Sequence, residues 1–303
     1  TKLNRSAMDV LGILICIGLA IWLIGYIIFR IVAPKQSTRR KMMIASWSAP
    51  NEGNVYGVLE IDVTKTLAFI EKKRKEGNHI TITHIVIKAI ALGLKEAPSM
   101  NGRIIWGKFF PHKQTDVGVL VNIEGGKDLA NAKIEKADEK SFSEISDVLY
   151  NKAQKLRKGQ DKDFKKTTNT LKHIPVFMLK PLVYWVGFLG GSIGLSLPVF
   201  GVKRFPFGSC LVTSVGMLGL DRAFVPFPPY GRIPLLAMVG AIMDKPIAVD
   251  GEVVVRPILT VTATLDHRFV DGAHAALLAK KVREVISDPE KFDKVLEDKK
   301  SKQ

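Results

Sequence analysis

Ile258-Leu-Thr-Val-Thr-Ala-Thr-Leu-Asp-His-Arg-Phe-Val-Asp-Gly272 joins two periodicities at a single histidine. Up to Leu265 the residues alternate, with Val261, Ala263 and Leu265 inward against Thr260, Thr262 and Thr264. That is the period-2 pattern of a strand. From Asp271 to Ser287 apolar residues recur at helical spacing, and Asp271 is placed to cap that amphipathic helix. His267 thus stands where a strand ends and a helix begins, at a backbone bend with its ring free of the ladder. Asp266 and Arg268 beside it read as residues that hold the loop through charge-assisted hydrogen bonds.

Working outward, Ile247 to Val255 reads as a hairpin around Asp250-Gly251, a pair suited to tight turns. Leu235 to Ile242 and Cys210 to Val215 are further strands, as are Val117 to Val121 and the alternating run Val55, Gly57, Leu59, Ile61. Helices are expected from Thr64 to Glu76, ended by Gly77, and from Thr83 to Ala97, closed by Pro98. Ser141-Phe-Ser-Glu144 is a capping box opening a third, with Ile145, Val148, Leu149 and Leu156 on one face. Together these give an α+β pattern with a mixed sheet.

An apolar content of 47% over 303 residues is ample for a core. The formal net charge of +16 favours anionic partners: nucleic acid, phosphorylated ligands or an acidic lipid surface. No zinc-finger spacing, RNA-recognition signature or interleaved aromatic–basic stripe accompanies it, so nucleic acid is not the partner read here. With Cys16 and Cys210 the only cysteines, neither a disulfide framework nor a cysteine zinc site is expected. Cys210 reads as a buried structural thiol, in a chain that is reduced and faces the cytosol. His84, His112 and His173 lack metal-ligand spacing and read as surface or helix residues. His274 belongs to the last helix. Gly190-Gly191 lacks the lysine and hydroxyl residue of a phosphate loop.

Two apolar segments carry different meanings. Val10 to Phe29 is uncharged and long enough to span a bilayer as a helix, with Trp22 and Tyr26 toward one end. No small-x-small cleavage pattern follows before Pro34, so it reads as an uncleaved transmembrane anchor, residues 1–34. Lys2 and Arg5 precede it, whereas Arg30, Lys35, Arg39, Arg40 and Lys41 follow, which puts residues 35–303 in the cytoplasm. Ile174 to Val202 is also apolar, but a second crossing would split one domain across the membrane. It reads instead as an insertion, about 172–204, that lies on the membrane or packs against a neighbour's anchor.

Leu265-Asp-His-Arg-Phe-Val-Asp-Gly272 resembles the DHRxxDG signature of the catalytic domain of 2-oxo acid dehydrogenase acyltransferases, whose fold chloramphenicol acetyltransferase shares. Val212-Thr-Ser-Val-Gly-Met-Leu-Gly219, Val253-Val-Val-Arg-Pro257, Ser141 to Ile145, and Arg39-Arg40 with Met43 resemble other parts of it. The resemblance implies a two-layer sandwich with a mixed sheet, and a homotrimer with active sites between subunits. It implies coenzyme A and dihydrolipoamide as substrates, no metal, His267 as general base and Thr213 as the hydroxyl donor to the oxyanion. Asp271 is a further catalytic candidate, and Ser214 and Arg268 are candidates for contacting coenzyme A. A membrane segment stands where lipoyl and subunit-binding domains would precede the catalytic part, so a lipoyl-domain protein would act in trans. The polar run Gly125 to Ile134 departs from the family's apolar one, which implies an altered acyl or acceptor pocket. Two alternatives stay open: a catalytically silent trimeric scaffold of a membrane complex, and a chloramphenicol-type small-molecule acetyltransferase.

Overall fold

A computed structural model of the chain describes residues 2–32, 53–106, 108–123, 128–228 and 230–293. Arg39, Arg40 and Met43 lie outside them, as does Gly125-Gly-Lys127 at the start of the polar run. The chain divides into two compact units, Thr1–Lys41 and Met42–Gln303. Among the described residues the first holds one helix, α1 (Lys2–Val32).

In the second unit a six-stranded sheet runs in the order β1 (Asn54–Asp62), β8 (Glu252–Asp266), β7 (Leu235–Val249), β6 (Cys210–Ser214), β4 (Val117–Ile123), β5 (Asp128–Ile134). β6 is parallel to both neighbours and the other pairings are antiparallel, so the sheet is mixed. A separate hairpin pairs β2 (Gly102–Ile105) with β3 (Lys108–Pro111). Asp250 and Gly251 both take positive φ, 52° and 89°, as the turn between β7 and β8 requires. β1 ends opposite Ile258, so the distal part of that hairpin projects as a two-stranded ribbon. Val253 and Val255 are exposed on it.

One sheet face is packed by helices α2 (Thr64–Lys75), α3 (Ile82–Glu96), α4 (Phe142–Arg157) and α7 (Gly272–Ser287). Val119, Val212, Ala237, Val261 and Leu265 meet Ile87, Ile90, Leu94, Phe142, Ile145 and Val282 there. α3 is buried nearly all round, and Ser141 and Glu144 form the expected capping box of α4. Apolar burial of this kind contributes about 25 cal/mol per Å² and is the main stabilising term.

The other face corrects one expectation. Thr260, Thr262 and Thr264 do not face water; each is at most 1% exposed. Coil crosses them, and the Thr264 hydroxyl donates to the Val225 carbonyl over 2.8 Å, that of Thr262 to the Ala223 carbonyl. Two of the three hydroxyls thus find carbonyls, which lets the face be interior, while that of Thr260 is buried without a partner among the described residues. His84 is a helix residue as expected, though not a surface one, and His112 is neither on a helix nor exposed. His84 is buried at the start of α3, where its Nδ1 accepts from the Thr81 N–H, and His112 packs edge-on against Phe205 beyond β3. His173 ends a helix, α5 (Lys162–His173). Cys210 is fully buried, and burial pushes its thiol up.

Lys88 is 1% exposed, and its Nζ donates to the carbonyls of Asp138 and Lys140 at 2.6 Å each. Burial lowers its pKa to about 8, opposed by the Asp138 and Glu144 carboxylates. Lys88→Met leaves both carbonyls unpaired and is expected to lower stability by about 2 kcal/mol in denaturant titration.

Burial also holds His84 at about 4, below its ordinary 6.5. The unfolded chain binds the extra proton first, so stability is full above pH 6.5 and falls as pH drops toward 4. Thermal melts across that window should show a loss on the order of 3 kcal/mol. His84→Gln, which keeps an acceptor for Thr81, should remove the His84 share and leave that of His112, which burial also holds at about 4.

Candidate active site

β8 delivers His267 to its place. Antiparallel pairing with β1 runs to Asp266, and the His267 N–H extends it by donating to the Gly53 carbonyl over 3.0 Å. On the other side the Asp266 N–H donates to the Pro234 carbonyl over 3.0 Å. The Phe269 N–H then closes a turn onto the Asp266 carbonyl at 2.9 Å. Past this turn, Asp271 starts α7.

The His267 ring is exposed in the single chain. Its Nδ1 lies 2.6 Å from the Val270 carbonyl oxygen. A carbonyl has no proton to give, so Nδ1 carries the hydrogen and donates. The tautomer is thereby set, and the Nε2 lone pair is left open as a base. A backbone group does this orienting, which is why no side-chain motif announced it.

The neighbours divide as their chemistry dictates. Asp266 takes the Arg268 fork, with Nε at 2.9 Å and 3.1 Å from its two oxygens and Nη2 at 2.5 Å. The Asp266 carboxylate also accepts the Arg268 backbone N–H at 3.0 Å. This pairing, chiefly its side-chain hydrogen bonds, raises the Arg268 pKa. Arg268 therefore holds the loop, and any contact with coenzyme A would share its guanidinium with Asp266. Asp271 caps α7: its Oδ1 accepts from the His274 N–H at 3.0 Å and lies 2.7 Å from His274 Nδ1. That N–H is the main reason its carboxyl sits below the usual carboxylate range. Both side chains are turned toward the helix.

Thr213 and Ser214 end β6. Thr213 lies level with Met238 and Thr262, and Ser214 with Val239 and Val261. The pleat therefore puts Thr213 on the coil-covered face and Ser214 on the helix face. Thr213 keeps 7% of its surface and Ser214 is half-buried. A bulge in β7 between Val239 and Ile242 makes room for the loop after β6. There Gly240 is forced, since a Cβ would stand 2.1 Å from the Asp221 carbonyl oxygen.

Within one chain the base and the hydroxyl are apart. His267 lies five residues beyond Thr262, the residue level with Thr213, which is roughly 17 Å along the strand. Two strand spacings add about 10 Å across the sheet. The structure places each at its own sheet end and does not bring them together.

Three features at the turn were not foreseen. Phe269 packs edge-on against Phe109 of β3. Ile104, Ser192, Arg232, Arg268 and Phe269 line one small cavity, which links the turn to the apolar insertion. Arg232 stands there at φ 52° with its guanidinium over the Tyr184 ring at 4.6 Å. The Trp106-Gly107 pair between apolar runs was an available signal for the β2–β3 hairpin. A larger hollow of about 260 Å³, lined by Phe69, Lys72 and Pro289, contains none of the site residues. Among the described residues no cluster of three or more His, Cys, Asp or Glu could hold a metal ion.

Comparison with known proteins accords with the fold. The 2-oxoacid dehydrogenases acyltransferase (catalytic domain) family matches residues 20–178 and 203–292. The dihydrolipoyllysine-residue acetyltransferase component of the Rhizobium meliloti pyruvate dehydrogenase complex is 30% identical over 220 residues, 72% of this chain. The chain spans only 39% of that relative's length, so the match is to part of it. A probable dihydrolipoamide acetyltransferase from Listeria monocytogenes has the same fold, with TM-score 0.59 and 21% identity over 84% of this chain and 92% of that one. So does the Azotobacter vinelandii dihydrolipoamide acetyltransferase, at TM-score 0.59 and 17% identity over 85% and 92%. That structure was solved to investigate a serine, a histidine and an asparagine in its catalytic mechanism. With the family matched over both the β6 segment and the histidine turn, this chain belongs to the 2-oxoacid dehydrogenase acyltransferase catalytic-domain family.

Proposed function

We propose that the chain is a membrane-tethered acyltransferase that moves an acyl group between coenzyme A and a dihydrolipoamide-type thiol, with His267 as general base. One observation carries this reading: an exposed imidazole whose Nδ1–H is tied to the Val270 carbonyl, leaving Nε2 free. Nε2 takes the proton of the attacking thiol, and the sulfur bonds to the thioester carbonyl carbon. The tetrahedral intermediate collapses by breaking the other carbon–sulfur bond, and the departing thiolate recovers the proton from the imidazolium. Charge balances at each step.

The oxyanion needs a donor, and Thr213 supplies it from a neighbouring copy in a homotrimer. Two features support assembly: the separation of the two groups within one chain, and the exposed valines of the projecting ribbon, which is marginal alone. Asp271 is a positioning residue that fixes the start of α7 and so the turn before it. Ser214 and Arg268 remain candidates for contacting coenzyme A, whose phosphates would meet some of the excess lysines and arginines.

The tether is α1. Its large apolar residues from Ile13 to Ile28 are exposed in the chain, and a helix apolar all round calls for lipid. At 1.5 Å per residue its 31 residues exceed a hydrocarbon core of about 30 Å. The basic residues after it favour a cytoplasmic catalytic unit.

Full-length protein in detergent, given acetyl-coenzyme A and dihydrolipoamide, should transfer acetyl to the free thiol. His267→Ala should abolish transfer; coenzyme A binding with no turnover in the unmodified chain would favour the silent scaffold. Thr213→Val should lower kcat about 100-fold, whereas Ser214→Ala leaves most of the rate. Co-assembling the His267→Ala and Thr213→Val chains should restore about a quarter of the sites on random mixing. No recovery would mean that each chain builds its own site. The ¹⁵N shifts of neutral His267 should place the proton on Nδ1, and an Nε2–H tautomer would remove the base.

A further inference from the structure

The family match breaks between residues 178 and 203, so most of the apolar insertion is this chain's own elaboration of the domain. It folds as α6 (Val176–Gly187) continued by a π-helical turn, Phe188–Ile193. By length and composition alone, Val176–Ile193 could cross a membrane. Its packing argues otherwise. Leu179, Val183 and Gly187, four residues apart, form a buried stripe. Gly187 lies so close to Tyr230 that a Cβ would come within 2.5 Å of its Cα, and a Cβ on Gly191 would be 3.1 Å from that of Arg232. One face of the helix is committed to the domain.

The opposite face is apolar as well. Met178, Tyr184 and Trp185 are 52%, 55% and 60% exposed, and Leu195 and Val199 beyond the turn are exposed too. A surface helix in water carries polar residues there. The charge around it has one sign. From Phe164 to Leu220 there is no Asp or Glu, while Lys165, Lys166, Lys172, Lys180, Lys203 and Arg204 are basic. Of these, Lys203 is paired with Asp163. An apolar face with a tyrosine and a tryptophan, set in a basic segment, complements the boundary of an anionic bilayer: acyl chains for the face, headgroups for the lysines.

We propose that the exposed face of α6 and its π-helical turn docks on an anionic lipid bilayer, lying in the interface without crossing it. The insertion reaches the catalytic turn, since Ser192 lines the same small cavity as Arg268 and Phe269. The helix would enter the boundary by about 5–10 Å. This contact is separate from the α1 tether and from the chemistry of His267, and its test reads no turnover.

The test uses the full chain carrying Trp22→Phe, which removes the tryptophan of α1, reconstituted into vesicles of phosphatidylglycerol and phosphatidylcholine. Subtracting the spectrum of the same chain with Trp185→Leu, or with Trp185→Phe should the first misfold, isolates Trp185 emission. Brominated acyl chains should extinguish that emission, and less so in vesicles of phosphatidylcholine alone. Emission that survives bromination overturns the proposal. If aqueous acrylamide then quenches it, the face is in water; if not, a second copy covers it. Equal quenching with and without phosphatidylglycerol overturns the electrostatic part. Co-sedimentation that survives an alkaline carbonate wash reports on α1, since a helix lying in the interface is stripped by it, so either membrane contact can fail alone.

Discussion

The ladder that clamps β8 between β1 and β7 is the constraint from which the rest follows. It holds the strand as far as Asp266 and leaves the next residue to turn out. His267 is positioned by hydrogen bonds from its N–H and its ring Nδ1 to the main-chain carbonyls of Gly53 and Val270, which depend on no neighbouring side chain. A shift of one residue in this register would send Leu265 to the coil side and Thr264 into the helix layer, with a cost at every row. The core thus fixes the geometry of the turn at a distance.

Much of this was legible because local chemistry and tertiary context agree. Asp250-Gly251 needs positive φ in any hairpin, Ser141 and Glu144 cap a helix wherever one starts, and Asp271 caps α7 as its position implies. The histidine turn could be located from the change of period alone. Its chemistry needed the likeness to known acyltransferases.

What stayed hidden depended on partners far along the chain. The threonines of β8 alternate with apolar residues as on an exposed face, yet two of them pair with carbonyls 39 positions away. His84 and Lys88 are polar residues whose burial is decided by what packs over them. β5 was obscured by its polar residues, although Ala130, Ala132 and Ile134 do alternate inward. The insertion could be seen as apolar, but not that Leu179 and Val183 form a stripe buried against the domain.

The distance between Thr213 and His267 along the sheet also bears on how damage would spread. If neighbouring copies complete each other's centres, every subunit serves two of them, as proton acceptor in one and as oxyanion donor in the next. A lesion at either end of the sheet then silences one centre and spares the other, so partial activity in a mixed assembly would reveal which end was struck.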